Sequence, residues 1–193
     1  SWGATLAMEY LLSSMSPKAK SVIFSSPMLS TSMWIKDAKY LMKLLPPEIY
    51  TTLLDGGITG KTDTKEYKAA CEMYYNNYCL RIDMLTKDQV IFNDSLEEKF
   101  NLEAYMHMWG PSEFYASGSL IAYERFDDLV TIKVPTLFLC GEFDEATPKT
   151  VELFHKQVPN SKFHIFKRCS HQAYFEDPES FRKVLLSFLD SIN

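Results

Sequence analysis

The sequence predicts an α/β fold: a parallel sheet flanked by helices, with an all-helical segment inserted into it. Two observations carry this. Three short apolar runs rich in β-forming residues, at 21–25, 135–140 and 161–167, alternate with helical patterns. Strands that alternate with helices imply a parallel sheet covered on both faces. Between the first and second runs, residues 28–126 carry little β signal, and aromatics, methionines and charges recur there at helical spacing.

Residues 4–15, ATLAMEYLLSSM, read as a helix with Leu6, Tyr10 and Leu11 along one stripe and Ala7 beside it. Ser16-Pro17 ends it, because proline cannot continue a helix. SVIFS at 21–25 is a buried strand. The inserted segment, typified by YKAACEMYYNNYCLRIDML and LEEKFNLEAYMHMW, reads as about five helices, with Pro46-Pro47 and Asp55-Gly56-Gly57 as interrupting turns. PTLFLC at 135–140 is the second strand. Pro148–Gln157 is a helix with proline suited to its first turn. SKFHIFK at 161–167 is the third strand, and Pro178–Ile192 the last helix, with Phe181, Leu185, Phe188 and Leu189 on one face. The domain reading is therefore core at 1–27, helical insertion at 28–126 and core again at 127–193. Three strands are few for a doubly covered sheet. The chain is expected to start inside a larger protein, and its 193 residues alone are expected to be neither stably folded nor active.

Composition narrows the function. With 46% hydrophobic and 23% charged residues, the chain is neither a disordered tail, a collagen-like fibre nor a disulfide miniprotein. A net charge of -5 argues against nucleic acid as a partner. No apolar stretch approaches the ~20 residues of a membrane span, so no membrane partner is expected. Cys71, Cys79, Cys140 and Cys169 form no C-x-x-C pair, which argues against a zinc site or a disulfide framework. The opening has neither the charge nor the cleavage site of a secretory leader. Reduced thiols and a cytoplasmic location are the expectation.

Three places could carry chemistry. Ser1-Trp2-Gly3-Ala4 leads straight into a helix, whose N-terminus favours negative charge developing beside it; Gly3 supplies the small neighbour that a serine at a sharp strand-to-helix turn needs. LCGEFDEATP at 139–148 ends a strand with a glycine turn and delivers acidic residues to the strand's C-terminal edge, where open α/β sheets bind ligands. The competing reading there is an Asp144 that only caps the following helix. Cys169-Ser170-His171 follows the third strand, so His171 sits in a loop at the same edge. His107, His155 and His164 have no such setting and read as structural or exposed. Singly each signal is common. Together Ser1, Asp144 and His171 occur in the α/β-hydrolase chain order and supply a nucleophile, a base and a carboxylate to hold the base's tautomer.

SWGATLAMEY resembles the second half of the nucleophile elbow of the proline iminopeptidases, a family within the α/β-hydrolase superfamily. PTLFLCGEFDEATP resembles their acid-bearing strand and turn, and FKRCSHQAYFEDPESF their histidine loop and last helix. WGPSEF at 109–114 is similar to their N-G-P-x-E-F cap motif, and MYYNNYCLRID to a cap helix. The resemblance implies the C-terminal portion of an α/β-hydrolase fold with an inserted helical cap. It also implies a triad of Ser1, Asp144 and His171, with the Trp2 backbone N–H as an oxyanion donor. Glu113 and Glu145 would hold the free α-ammonium of a short peptide, with Tyr105 a further pocket residue. The sequence departs from the family pattern in three ways. No glycine precedes Ser1, the H-G-G-P-G oxyanion segment is absent, and Trp109 stands where the cap motif has asparagine.

The resemblance implies a serine aminopeptidase that releases N-terminal proline or another small apolar residue through an acyl-enzyme, without metal or cofactor. The upstream half of the same protein is its expected partner. Three alternatives remain at this point: an esterase or amidase without a free-amine requirement, a non-catalytic binding protein of the same fold, and an N-terminal nucleophile whose base is the Ser1 α-amine. The last fits poorly, since such residues open a strand and SWGATLAMEYLL opens a helix.

Overall fold

The computed structural model of the chain describes residues 1–13, 18–97 and 99–192. Its sheet holds β1 (Val22–Ser25), β2 (Thr136–Gly141) and β3 (Ser161–Phe166), all parallel and in that spatial order. Val22 pairs with Thr136, and Thr136 with Ser161, so the three strands start in step. Every residue of the central strand β2 is buried, which is why TLFLCG shows no polar alternation.

Successive β2 side chains serve opposite faces. Phe138 and Cys140 pack with Phe24 of β1, with Ala4 and Met8 of α1 (Trp2–Leu12), and with Val151 and Phe154 of α7 (Pro148–Gln157). Leu137 and Leu139 pack with Phe166 and with Phe188 of α9 (Pro178–Asp190). The predicted doubly covered sheet is thus present. All three strands fall within a residue of their expected limits, and α7 occupies the expected residues. The last helix stops at Asp190, and a one-turn helix α8 (Ala173–Glu176), not anticipated from sequence, precedes it.

The first helix corrects the expected stripe. Leu6 and Tyr10 are 52% and 40% exposed, and the buried side chains are Ala4, Thr5 and Met8. Ala4, Met8 and Leu11 recur at spacings of four and three and so share one helix face, whereas Leu6 and Tyr10 fall on the opposite one. Residues 14–15 of the expected helix and the Ser16-Pro17 stop lie outside the described residues.

Between β1 and β2 the described residues form five α-helices: α2 (Thr31–Met42), α3 (Pro47–Thr59), α4 (Lys65–Tyr78), α5 (Lys87–Glu97) and α6 (Leu102–Met108). Most of their buried residues form a core of their own, in which Leu41, Leu53, Ala70, Tyr74 and Phe114 take part. Trp34 and Trp109 instead join the core beneath the sheet. Pro46-Pro47 does separate two helices, with Pro47 as the first residue of α3. Asp55-Gly56-Gly57 is not a turn: α3 runs straight through it. A Cβ on Gly56 would lie 2.2 Å from a ring carbon of Tyr67, so the glycine permits close packing of α3 on α4 rather than a chain reversal.

Candidate active site

The C-terminal end of β2 builds the centre of the site. Asp144 is fully buried, and both of its oxygens are engaged. Oδ1 accepts from His171 Nδ1 at 2.8 Å and from the Ala146 N–H at 2.8 Å. Oδ2 accepts from the Ser26 hydroxyl at 2.6 Å and from the Gly141 N–H at 3.0 Å. Asp144 does not cap the following helix; the Thr147 side chain does, accepting from the Thr150 N–H. A carboxylate only accepts, so the His171 proton sits on Nδ1 and Nε2 is left with its lone pair free to act as a base. Gly141 permits this closeness: a Cβ there would lie 2.2 Å from the Ser170 carbonyl oxygen and 2.4 Å from that of Cys169.

His171 is held on several sides. Its backbone N–H donates to the Tyr78 carbonyl at the end of α4, at 3.2 Å. The same carbonyl accepts the Glu145 N–H at 3.2 Å, so one helix end ties the acid turn to the histidine loop. The ring of Trp34 meets the imidazole edge-to-face, with centroids 5.9 Å apart. Glu176 fixes the loop from beneath, accepting from the Arg81 N–H at 2.6 Å and from both the N–H and the hydroxyl of Ser170.

Ser1 precedes α1 and lines one cleft together with Ser26 and His171. Ser1 Oγ makes no hydrogen bond to His171; contacts of this kind often tighten only with substrate. Trp2 opens α1, and N–H groups in a first helical turn lack intrahelical acceptors. Gly3 differs from expectation: a Cβ there would meet nothing within 4 Å among the described residues, so none of these makes the close approach that would call for a glycine.

The two predicted glutamates face the same region. Ser1, Trp34, Tyr105, Trp109 and Glu113 are among the residues lining a cavity of about 370 Å3, and among the described residues no lysine or arginine side chain lines it. Tyr105 donates its hydroxyl to Glu113 Oε1 at 2.9 Å. Burial, reinforced by the Glu113 charge, pushes the Tyr105 phenol far above its usual pKa, so it stays protonated. Glu145 is 3% exposed; its Oε1 lies 3.8 Å from His171 Nδ1, and its Oε2 has no hydrogen-bond partner. Burial first, and then the charges of Glu113 and Asp144, raise the Glu145 pKa well above the ordinary carboxyl range. The Cys79 thiol works against that rise.

The structure brings Ser1, Trp2, Tyr105, Glu113, Asp144, Glu145 and His171 to one end of the sheet. Sequence reasoning missed Ser26, Trp34, the Tyr78 carbonyl and Glu176. Ser26 follows β1 at the C-terminal edge, the same signal that singled out Asp144, and could have been found that way. Trp34, whose Nε1 donates to the Glu113 carbonyl at 2.9 Å, carries no such signal. His155 is bound to Ser161, and His164 lies on β3 with its pKa lowered by burial, so neither takes part in the site.

Residues 1–178 match the family model described as alpha/beta hydrolase fold. The chain is 40% identical to a proline iminopeptidase of Heyndrickxia coagulans over 192 residues, covering 100% of this chain and 65% of that relative. The crystal structure of a proline iminopeptidase of Mycobacterium smegmatis superposes with a TM-score of 0.84 at 31% identity, covering 99% of this chain and 63% of that one. That of VinJ superposes with a TM-score of 0.89 at 32% identity, covering 100% and 64%. The chain thus spans a little under two thirds of the length of these relatives, and with its strand order, its matched residues and its Ser, Asp and His at one sheet edge it belongs to the alpha/beta hydrolase fold family.

Proposed function

We propose that the full-length protein is a serine aminopeptidase that releases an N-terminal proline or other small apolar residue from short peptides. The observation that carries this reading is the pair Glu113 and Glu145 beside Ser1 and His171. Glu113 lines the cavity beside Ser1, where no described lysine or arginine stands, and Glu145 is buried next to His171 with an unpartnered oxygen. Buried carboxylates are costly unless paired with a cation, and a substrate ammonium would pair both. Two anions on one ammonium would also reject a chain continuing beyond it, which makes an exopeptidase. The similarity to proteins named proline iminopeptidase supports the same reading.

In the proposed cycle His171 Nε2 takes the Ser1 hydroxyl proton as Oγ attacks the carbonyl carbon of the N-terminal residue. Asp144 holds the imidazole tautomer and stabilises the imidazolium. The Trp2 N–H donates to the developing oxyanion, and a second donor would come from an N-terminal portion such as the longer relatives have. His171 then protonates the departing amine, and water, activated by the same base, hydrolyses the acyl-enzyme. The helices at 28–126 would form the cap over this site, with Tyr105 orienting Glu113. A cytoplasmic location belongs to the same proposal and fits four unpaired thiols. Prolyl arylamide hydrolysis by the full-length protein tests the reading. Loss of activity in His171→Ala, with a raised KM in Glu113→Gln, supports it, and wild-type rates in either variant would overturn that residue's role.

A further inference from the structure

We propose that Ser26 is a positioning residue for the reaction: its hydroxyl sets the plane of the Asp144 carboxylate and so the aim of His171. The inference rests on reading Asp144 and His171 as the catalytic pair, and adds a member that no sequence motif marks. Ser26 is 2% exposed and stands 118 positions from Asp144 in the chain, yet its Oγ lies 2.6 Å from Oδ2. A hydroxyl has one proton. The shorter contact assigns it to the carboxylate, ahead of the His171 carbonyl at 3.1 Å. Without Ser26, Oδ2 would keep only the Gly141 N–H, and the carboxylate could rotate away from Nδ1.

The backbone of Ser26 sharpens the argument. Its φ is 47°, a left-handed conformation that side chains with a Cβ disfavour and glycine adopts freely. Its N–H still donates to the Leu139 carbonyl at 2.8 Å, extending the β1–β2 ladder by one residue. Backbone strain alone thus ranks glycine above serine and alanine here. The hydroxyl alone ranks serine above both.

The test compares Ser26→Gly, Ser26→Ala and Asp144→Asn with wild type in the full-length protein, measuring melting temperature together with kcat and KM on a prolyl arylamide. The expected result is a kcat about tenfold lower in both Ser26 variants, the scale of one lost charge-assisted hydrogen bond, with KM within about twofold. The glycine variant should melt above the alanine variant, because it relieves the left-handed strain that alanine keeps, so an equal loss of kcat in the two cannot come from lost stability. The proposal is overturned if kcat stays within about twofold of wild type in both Ser26 variants while Asp144→Asn is inactive. It is equally overturned if kcat follows melting temperature, with the glycine variant as fast as wild type. An active Asp144→Asn variant would instead remove the reading of Asp144 itself, a separate and recognisable failure.

Discussion

Glu145→Gln removes an ionisable carboxyl from a side chain that is 3% exposed and has one unpartnered oxygen. In the folded protein, burial and the neighbouring Glu113 charge raise this carboxyl's pKa. In the unfolded chain it titrates near the usual ~4.3. Above that pH the unfolded state has released a proton that the folded state still holds, so this group makes folding less favourable as pH rises, until the folded carboxyl ionises too. Glutamine has no such dependence. The variant should therefore match wild-type stability near pH 4 and exceed it at pH 7. The gain at pH 7 is the avoided cost of a carboxyl that ionises in the unfolded chain but is penalised for doing so in the fold, on the scale of about 1–3 kcal/mol for one unsatisfied buried group, or a melting temperature higher by about 2–8 °C. Catalysis should move the other way. The substrate ammonium loses one charge-assisted partner, which lowers kcat/KM by about 10- to 150-fold, mainly through KM. Thermal melts at pH 4 and pH 7, together with arylamide kinetics, read both effects. A variant less stable than wild type at pH 7, or a stability difference that ignores pH, would refute the electrostatic reasoning. An unchanged KM would refute the ammonium pocket.

Three further substitutions probe the helical segment. Gly56→Ala should destabilise the protein by about 1–3 kcal/mol in chemical denaturation, because the new Cβ would sit 2.2 Å from the Tyr67 ring and overpacking outweighs the gain in helix propensity. Gly57→Ala, whose Cβ would meet Tyr115 at 3.1 Å, serves as the milder comparison. Trp34→Phe removes the hydrogen bond to the Glu113 carbonyl at 2.9 Å. It should raise KM for a free-amine substrate about fivefold, the scale of one neutral hydrogen bond, with a smaller change in kcat.

Much of the sheet was legible because β2 is buried on both sides and must be apolar throughout, and because Pro148 and Pro178 mark helix starts that the structure keeps. The helical pattern of the insertion was legible too. What failed were inferences about partners rather than about periods. The Gly56-Gly57 pair reads as a turn until Tyr67 is known to press against it, and Leu6 and Tyr10 read as an inward stripe until Ala4 and Met8 are seen to take that place. In the site, Ser1, Asp144 and His171 were legible from their chain order and strand edges. Ser26, Trp34 and the Tyr78 carbonyl were not, since each acts through a contact across tens of residues that no local pattern encodes.

The central claim is that Ser1 and the His171–Asp144 pair act on substrates presenting a free N-terminal amine to Glu113 and Glu145. The most direct measurement compares hydrolysis of a prolyl arylamide with that of its N-acetylated twin by the full-length protein, with Ser1→Ala as control. The account predicts cleavage of the free amine alone, abolished in the variant. Equal cleavage of both substrates would contradict the ammonium pocket, and activity surviving in Ser1→Ala would contradict the nucleophile.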